Sequence, residues 1–322
     1  MKHIEKYINV LRSPINGSDL TIKENTLFDS ENNVFKIINE IPRFVNENNY
    51  ADSFGYQWNI FAKSQLDRFS NNKISESRFY KNTRWDKSNI NQKDVLEVGS
   101  GAGRFTEILL EANTNLFSVD YSIAVEANWM NNRSIKDFFI CQSDIYALPF
   151  KKNIFDFVFC FGVLQHTPNP EKSFKCLVDQ LKPGGEIAID VYKKTWKSIF
   201  NTKYWFRPIT KKMSKDSLLK IIKWYVPKWF PISTFFLKIP FLGRFLSQLL
   251  PILNYTFIYP ELTKEELLEW AILDTFDMLS PTYDFPQSIN TLKKWAYMNS
   301  LQIIYVGYGD NGYVLVAKKP SI

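Results

Sequence analysis

Short apolar runs alternate with amphipathic segments through the middle of the chain. The runs are rich in β-branched and aromatic residues and occupy positions 94–99, 116–120, 138–144, 155–162 and 186–192. Between them, for example at 105–112 and 124–132, apolar residues recur at the three- and four-residue spacing of a helix with one buried face. Strands that alternate with helices form βαβ units, so this region predicts a parallel sheet covered by helices.

The pattern is different on either side of this region. Two apolar runs at 301–309 and 313–319 flank the tight turn Asp310-Asn311-Gly312, and a turn this short joins antiparallel strands. Residues 1–50 contain short runs separated by turn-forming residues, and 51–93 has helix-compatible spacing. We therefore divide the chain into a small β module (1–50), a helical lead-in or lid (51–93) and a main domain (94–322).

Between Thr195 and Pro260 the alternation of strands and helices stops, and a helical insert is predicted. Several apolar residues there have the spacing of one buried helix face: Leu218, Ile221, Ile222, Tyr225 and Val226. The apolar stretch 232–250 is interrupted by Lys238, Pro240, Gly243 and Arg244, which makes it a poor candidate for a transmembrane helix.

The insert is strongly basic. The whole chain has a formal net charge of +7, but residues 197–244 contain eleven lysines and arginines against one acid, Asp216. This regional excess predicts an anionic partner. Two interpretations stay open: a helical cap that buries its aromatic residues over an acceptor pocket, and an amphipathic surface, formed by 197–250, that touches an anionic membrane. Binding of nucleic acid is disfavoured, because the insert is rich in long apolar runs.

Cysteine and histidine are scarce. The chain has three cysteines, no CxxC motif and two histidines, so we expect neither a disulfide framework nor a bound metal. The first residues contain no long apolar run, so no signal peptide is expected. Together these features predict a cytoplasmic protein, with the insert as its only candidate for peripheral contact with the inner face of a membrane.

The strongest chemical signal follows the first predicted strand. Glu97-Val98-Gly99-Ser100-Gly101-Ala102-Gly103 leads from that strand into a helix, and glycines allow a sharp turn against which a ligand can lie. The spacing is GxGxG, whereas a dinucleotide fingerprint requires a glycine at position 104, where this chain has arginine. The alternative for such a motif on its own is a tight β–α turn without a ligand.

Acidic residues at the ends of the next two strands strengthen the signal. Asp120, in the sequence Val-Asp-Tyr, ends the second strand, where a carboxylate can accept hydrogen bonds from both hydroxyls of a ribose. Asp144 ends the third strand, where a carboxylate can receive an adenine amino group while Ile145 offers an apolar contact. The fourth strand runs into Phe161-Gly162, and a Lys-Pro-Gly-Gly turn precedes the fifth strand.

Residues 94–192, with these motifs in this order, resemble the core of class I S-adenosylmethionine-dependent methyltransferases, in the group that includes ubiquinone- and sugar-modifying enzymes. The resemblance implies an α/β fold with a Rossmann-like seven-stranded sheet of order 3-2-1-4-5-7-6, whose seventh strand is antiparallel. It also implies S-adenosylmethionine as the cofactor. Its implied contacts place Glu97, Gly99, Ser100, Gly101 and Gly103 at the methionine part, Asp120 and Tyr121 at the ribose, Asp144 and Ile145 at the adenine, and Phe161 and Gly162 beside the sulfonium.

The N-terminal part is similar to a small zinc-ribbon-like domain that precedes some of these enzymes. That domain has CPxC where this chain has Ser13-Pro14-Ile15-Asn16, so we expect the β module to be kept without its metal. The stretch 53–61 resembles a segment found in a bacterial subgroup associated with surface-polysaccharide or envelope biosynthesis. Within it, Tyr56 and Trp58 are candidates for a lid over the cofactor, or for packing between domains.

His166 follows the fourth strand, at the sheet edge where ligands bind in open α/β folds. It is the candidate general base for methyl transfer, and the alternative is a loop residue that caps the next helix or packs beside the cofactor. The expected function is methyl transfer to oxygen or nitrogen of a small-molecule, sugar or lipid-linked glycan acceptor. The alternatives are an RNA-modifying methyltransferase, recruited by the basic insert, and a catalytically silent cofactor-binding scaffold.

Overall fold

The computed structural model describes residues 2–46, 49–70, 72–194 and 202–321. The predicted start of the insert at Thr195, and Lys197 of its basic run, lie outside these ranges. The strands are β1 (Thr21–Lys23), β2 (Thr26–Phe28), β3 (Val34–Ile38), β4 (Ile41–Pro42), β5 (Asp94–Val98), β6 (Asn115–Asp120), β7 (Phe139–Gln142), β8 (Phe155–Cys160), β9 (Leu181–Val191), β10 (Gln302–Tyr308) and β11 (Tyr313–Lys318). The α-helices are α1 (Lys2–Glu5), α2 (Asp52–Ile60), α3 (Asp67–Ser70), α4 (Ile74–Thr83), α5 (Lys87–Ile90), α6 (Arg104–Glu111), α7 (Val125–Asn132), α8 (Pro170–Val178), α9 (Lys203–Thr210), α10 (Lys215–Leu237), α11 (Gly243–Gln248), α12 (Lys264–Leu279) and α13 (Ile289–Met298).

The central sheet has the order β7-β6-β5-β8-β9-β11-β10. The first five strands in this order are parallel, whereas β11 runs antiparallel to both β9 and β10. This confirms the predicted order and the antiparallel last strand. One detail differs: β9 begins at Leu181, so the Lys-Pro-Gly-Gly turn lies within it, at a shift of register against β8.

Helices cover both faces of this sheet, which is why its strands read as nearly continuous apolar runs. Neighbouring residues of one strand pack to opposite sides: Phe157 and Phe159 face α4, α6 and α7, whereas Val158 and Cys160 face α8 and α13. The N-terminal module packs on the same side as α8 and α13, through Leu11 and Leu27 among others.

The N-terminal module is a four-stranded antiparallel sheet of order β1-β2-β3-β4. At the turn where a zinc ribbon would need its first cysteine, the Ser13 hydroxyl donates to Asp29 Oδ2 at 2.8 Å and accepts from the Asn16 backbone N–H at 3.4 Å. In the described ranges, no group of three or more His, Cys, Asp or Glu side chains is placed to hold a metal ion. The likeness to a zinc ribbon stays a prediction.

The insert is helical, and the helical segment continues past Pro260 to the end of α12 at Leu279. It forms its own apolar cluster, in which α10 packs on α12 and on Phe61, which directly follows α2. The buried face of α10 contains Leu218, Leu219, Ile222, Val226 and Phe230. The prediction of Ile221 in this face was wrong: its side chain is 50% exposed, because the core lies on the side of Leu219. No helix in the described part of the chain is long and apolar enough to cross a membrane.

Candidate active site

The loop that follows β5 forms the floor of a large cavity. Gly99, Gly101 and Gly103 all have positive φ, which only glycine adopts readily. Close approach also requires glycine here: a Cβ on Gly99 would lie 2.0 Å from Val163 Cγ2, and one on Gly101 would lie 3.1 Å from Trp58 Nε1. The loop is therefore packed against the residues after β8 on one side and against α2 on the other.

Asp120 holds this loop from the end of β6. Its Oδ2 accepts the Gly101 backbone N–H at 2.9 Å, and its Oδ1 accepts the backbone N–H and hydroxyl of Ser122 at 2.8 and 2.7 Å. Burial raises the pKa of this carboxyl, and hydrogen bonds from Ser122 and Gly101 oppose that shift. Oδ1 thus accepts two donors and Oδ2 only one, so Oδ2 keeps a lone pair and Asp120 can both shape the loop and accept a ligand hydroxyl.

Most of the predicted site residues come together around this cavity. The wall includes Gly99, Ser100, Gly101, Asp120, Tyr121, Ile145, Phe161, Gly162 and His166. The cavity has a volume of about 460 Å³, within the size range of small-molecule sites. Trp58 also lines it, as a lid residue would, whereas Tyr56 instead donates a hydrogen bond to Asp216 of α10.

Three predicted residues lie outside the wall. Glu97 is buried behind the loop, where it accepts hydrogen bonds from the hydroxyls of Thr106 and Ser118, and burial raises its pKa to about 7. Gly103 packs on α7, where a Cβ would lie 2.1 Å from an amide nitrogen of that helix. Asp144 is half-buried at the cavity edge, its Oδ1 accepting the Tyr146 N–H, and burial raises its pKa.

His166 ends a short 3₁₀ turn, Leu164–His166, that follows β8. Its Nδ1 lies 2.9 Å from the Tyr283 carbonyl oxygen, and its Nε2 is buried without a hydrogen-bond partner among the described residues. Because a carbonyl only accepts, Nδ1 carries the proton and Nε2 keeps its lone pair. Burial lowers the pKa to about 4, so the ring is neutral at pH 7.

The other half of the cavity is polar and was not predicted. Asp274 and Asp277, one turn apart on α12, line it, and burial raises the pKa of each to about 6. Tyr255 donates to Asp274, and the Tyr192 hydroxyl donates to Asp277 at 3.0 Å. The rings of Tyr259 and Trp270 also line this half. We name these six residues, Tyr192, Tyr255, Tyr259, Trp270, Asp274 and Asp277, the acceptor half.

A bridge of side chains joins the glycine loop to the acceptor half. Arg104, at the start of α6, donates to Gln65 Oε1 at 2.7 Å, and Gln65 Nε2 lies 3.3 Å from Asp274 Oδ1. The other Arg104 terminal nitrogen is buried without a hydrogen-bond partner in the described part of the chain. Burial, aided by the charge of Arg78, lowers the Arg104 pKa to about 10, so the guanidinium stays charged beside the cavity.

Parts of the sequence could have indicated the acceptor half. The run Leu-Asp-Thr-Phe-Asp places two acids at i and i+3 in an otherwise apolar helix, a spacing that puts both on one face. No sequence pattern near α12, however, indicates that this face meets Tyr192 at the end of β9.

Comparisons with known proteins agree with this geometry. Residues 96–189 match a family model described as a methyltransferase domain. Over 105 residues the chain is 33% identical to a tRNA U34 carboxymethyltransferase of Nautilia profundicola, covering 32% of this chain and 35% of that protein. Over 113 residues it is 30% identical to a ubiquinone biosynthesis O-methyltransferase of Coxiella burnetii, covering 34% and 48%. The chain thus spans less than half the length of these relatives.

Among solved structures, the chain is similar to magnesium protoporphyrin IX methyltransferase from Synechocystis PCC 6803 with bound SAH. The TM-score is 0.47 at 13% identity, over 84% of this chain and 95% of that one. The glycine loop after β5, the acid at the end of β6, the sheet order and the matched family model all agree. The chain therefore contains a class I methyltransferase domain whose cofactor is S-adenosylmethionine.

Proposed function

We propose that this protein transfers a methyl group from S-adenosylmethionine to a hydroxyl oxygen of a polyhydroxylated acceptor, such as a sugar or a lipid-linked glycan. One observation carries the proposal: a single cavity is lined both by the glycine loop and by the acceptor half. A ligand on the loop and a second molecule beside α12 would therefore share one cavity.

The chemistry of the acceptor half favours hydroxyl groups. Carboxylates accept O–H hydrogen bonds, and Asp274 and Asp277 present two of them from neighbouring turns. Tyr259 and Trp270 add flat apolar surfaces, on which a sugar ring can lie. The same carboxylates would repel the phosphodiesters of RNA, which argues against an RNA acceptor at this site.

The residues around the loop fit the cofactor. Gly162 has open space where a Cβ would lie, and Asp120 Oδ2 keeps a lone pair for a ribose hydroxyl. The cofactor, when bound, supplies a methyl group on a positively charged sulfur, which a nucleophile displaces in line. The protein then has to hold the two molecules in register, exclude water and receive a proton.

His166 is the proposed proton acceptor, and its Nε2 receives the proton that the acceptor hydroxyl loses. A pKa of about 4 is sufficient, because a hydroxyl becomes far more acidic as its oxygen gains a methyl group. Neutrality is also an advantage, since a protonated ring would repel a positively charged sulfur. Contacts with the rings of Phe54 and Tyr192, at 5.1 and 5.2 Å between centroids, hold the imidazole in place.

The proposal is tested by measuring S-adenosylhomocysteine release in the presence of free sugars, nucleotide sugars, polyprenyl-linked saccharides and tRNA. We expect turnover with a saccharide class. His166→Gln should lower kcat by on the order of 100-fold and leave cofactor binding unchanged. His3→Gln, at the other histidine of the chain, is the matched control. Turnover with tRNA alone would refute the acceptor class, and cofactor binding without turnover on any acceptor would indicate a scaffold.

A further inference from the structure

Helix α10 has a second apolar face, on the side away from the core. Ile221, Trp224, Ile232 and Phe235 are spaced so that they fall on one side of the helix, and their exposed fractions are 50%, 61%, 39% and 63%. Helix faces that meet water are normally polar, and large exposed apolar patches mark interaction sites. Burial in this protein's own core does not explain these four residues.

Two further exposed aromatic side chains follow the end of α10. Phe241, just before α11, is 105% exposed, and Phe245, within α11, is 51% exposed. Helix α11 lies close against the end of α10. A Cβ built on Gly243 would be only 2.3 Å from the Phe236 carbonyl oxygen. We call Ile221, Trp224, Ile232, Phe235, Phe241 and Phe245 the outer face.

Lysines lie among these apolar side chains. Lys220, Lys228 and Lys238 are all exposed, and Lys228 Nζ lies 4.0 Å from the centre of the Trp224 ring. The only acid of this sequence region, Asp216, is engaged by the Tyr56 hydroxyl. The outer face therefore combines an aromatic and aliphatic centre with positive charge.

We propose that the outer face binds the surface of a membrane that contains anionic lipids. Amphipathic helices of this composition lie in the interface, with their apolar side chains below the headgroups and their lysines at the lipid phosphates. Charge complementarity favours this partner over a second copy of the chain, because two such faces would bring like charges together. Nucleic acid would match the lysines and leave six large apolar side chains in water.

The position of the outer face relates membrane binding to the acceptor half of the cavity. The buried side of α10 packs through Leu218 and Ile222 into the same cluster as Leu267 and Trp270 of α12, and Trp270 belongs to the acceptor half. The membrane would thus lie over the layer of helices that covers the acceptor half. The inference does not depend on the proposed acceptor, since it is drawn from the surface alone.

The test is co-sedimentation of the purified full chain with vesicles of phosphatidylcholine, alone or mixed with phosphatidylglycerol. We expect binding to the mixed vesicles that weakens as salt is added. Replacing Lys220, Lys228 and Lys238 by Gln should weaken it roughly 5-fold per lysine, on the order of 100-fold in all. The matched control replaces Lys23, Lys36 and Lys87, which are also exposed but lie far along the chain from the helical segment.

A second variant tests the apolar part. Trp224→Ser with Phe235→Ser should weaken vesicle binding by more than about 10-fold, even where salt already screens the lysines. Met130→Ser with Tyr297→Ser is its control, because both side chains are well exposed elsewhere, at 63% and 84%. Melting temperatures establish that each variant is folded.

Three outcomes would overturn the proposal. The first is absence of binding to anionic vesicles, or equal binding to both vesicle types. The second is a stable dimer in solution that the Trp224→Ser, Phe235→Ser variant converts to monomer. The third is retention of RNA at physiological salt that the lysine variant abolishes, in a protein that does not bind vesicles.

Discussion

Replacing Asp120 by Asn tests whether its carboxylate binds the cofactor or only supports the glycine loop. The change removes the charge and leaves a single carbonyl oxygen where two oxygens now accept from Gly101 and Ser122. A hydrogen bond to a charged group contributes about 1.5–3 kcal/mol, so losing the proposed hydrogen bond from the ribose should cost about 2–3 kcal/mol. The dissociation constant for S-adenosylhomocysteine should rise about 30- to 150-fold.

The stability of the fold should change much less. Burial raises the Asp120 pKa above its unfolded value, so the ionised carboxylate disfavours folding at pH 7, and Asn removes that penalty. The removal of this penalty offsets part of the stability that is lost with the second hydrogen-bond acceptor. Titration calorimetry gives the affinity and scanning calorimetry the melting temperature, with Asp179→Asn, a carboxylate paired to surface lysines, as the control. A folded variant with unchanged affinity would remove Asp120 from the cofactor site.

Three further predictions concern other parts of the molecule. Because burial raises the pKa of Asp274 and Asp277 to about 6 and both are expected to act ionised, kcat/KM should fall steeply below that pH, and less steeply in Asp277→Asn. Identical pH profiles would contradict this role. Trp58→Ala should raise the cofactor dissociation constant roughly 10-fold by uncovering the glycine loop, and unchanged calorimetric affinity would rule out a lid. Elemental analysis should find no stoichiometric zinc, since Ser13 and Asn16 replace thiolates; one equivalent would refute our interpretation of residues 1–50.

The sheet could be predicted because its strands are buried on both faces. Apolar runs such as Phe155–Cys160, interrupted only by Asp156, are typical of strands in a covered parallel sheet, and the short turn at 310–312 permits only an antiparallel pair. The floor of the site could be predicted for a similar reason, since glycine spacing and the acid at a strand end are local features of the sequence. Gly103 is a different case: the resemblance implies a cofactor contact there, and the structure places its Cβ side against α7, a packing that the sequence does not indicate.

The acceptor half could not be predicted because no local pattern assembles it. Tyr192, Tyr255 and Asp277 are brought together by the packing of α12 over the sheet edge, and each alone is compatible with a surface position. Likewise, the face of α10 that meets the core depends on the location of α12. The periodicity marks apolar residues on both sides of α10, and only the packing distinguishes Leu219 from Ile221.

The place of β11 in the sheet affects how the protein folds during synthesis. β11 fills the gap between β9 and β10, and pairs with β9 from Tyr313 to Lys318. Until the ribosome has made those residues, β9 has one open edge, throughout synthesis of the whole helical segment. The nascent chain therefore exposes a row of unpaired backbone groups next to strongly apolar helices, a combination that promotes aggregation. We expect the yield of native protein to depend on chaperones that shield this edge.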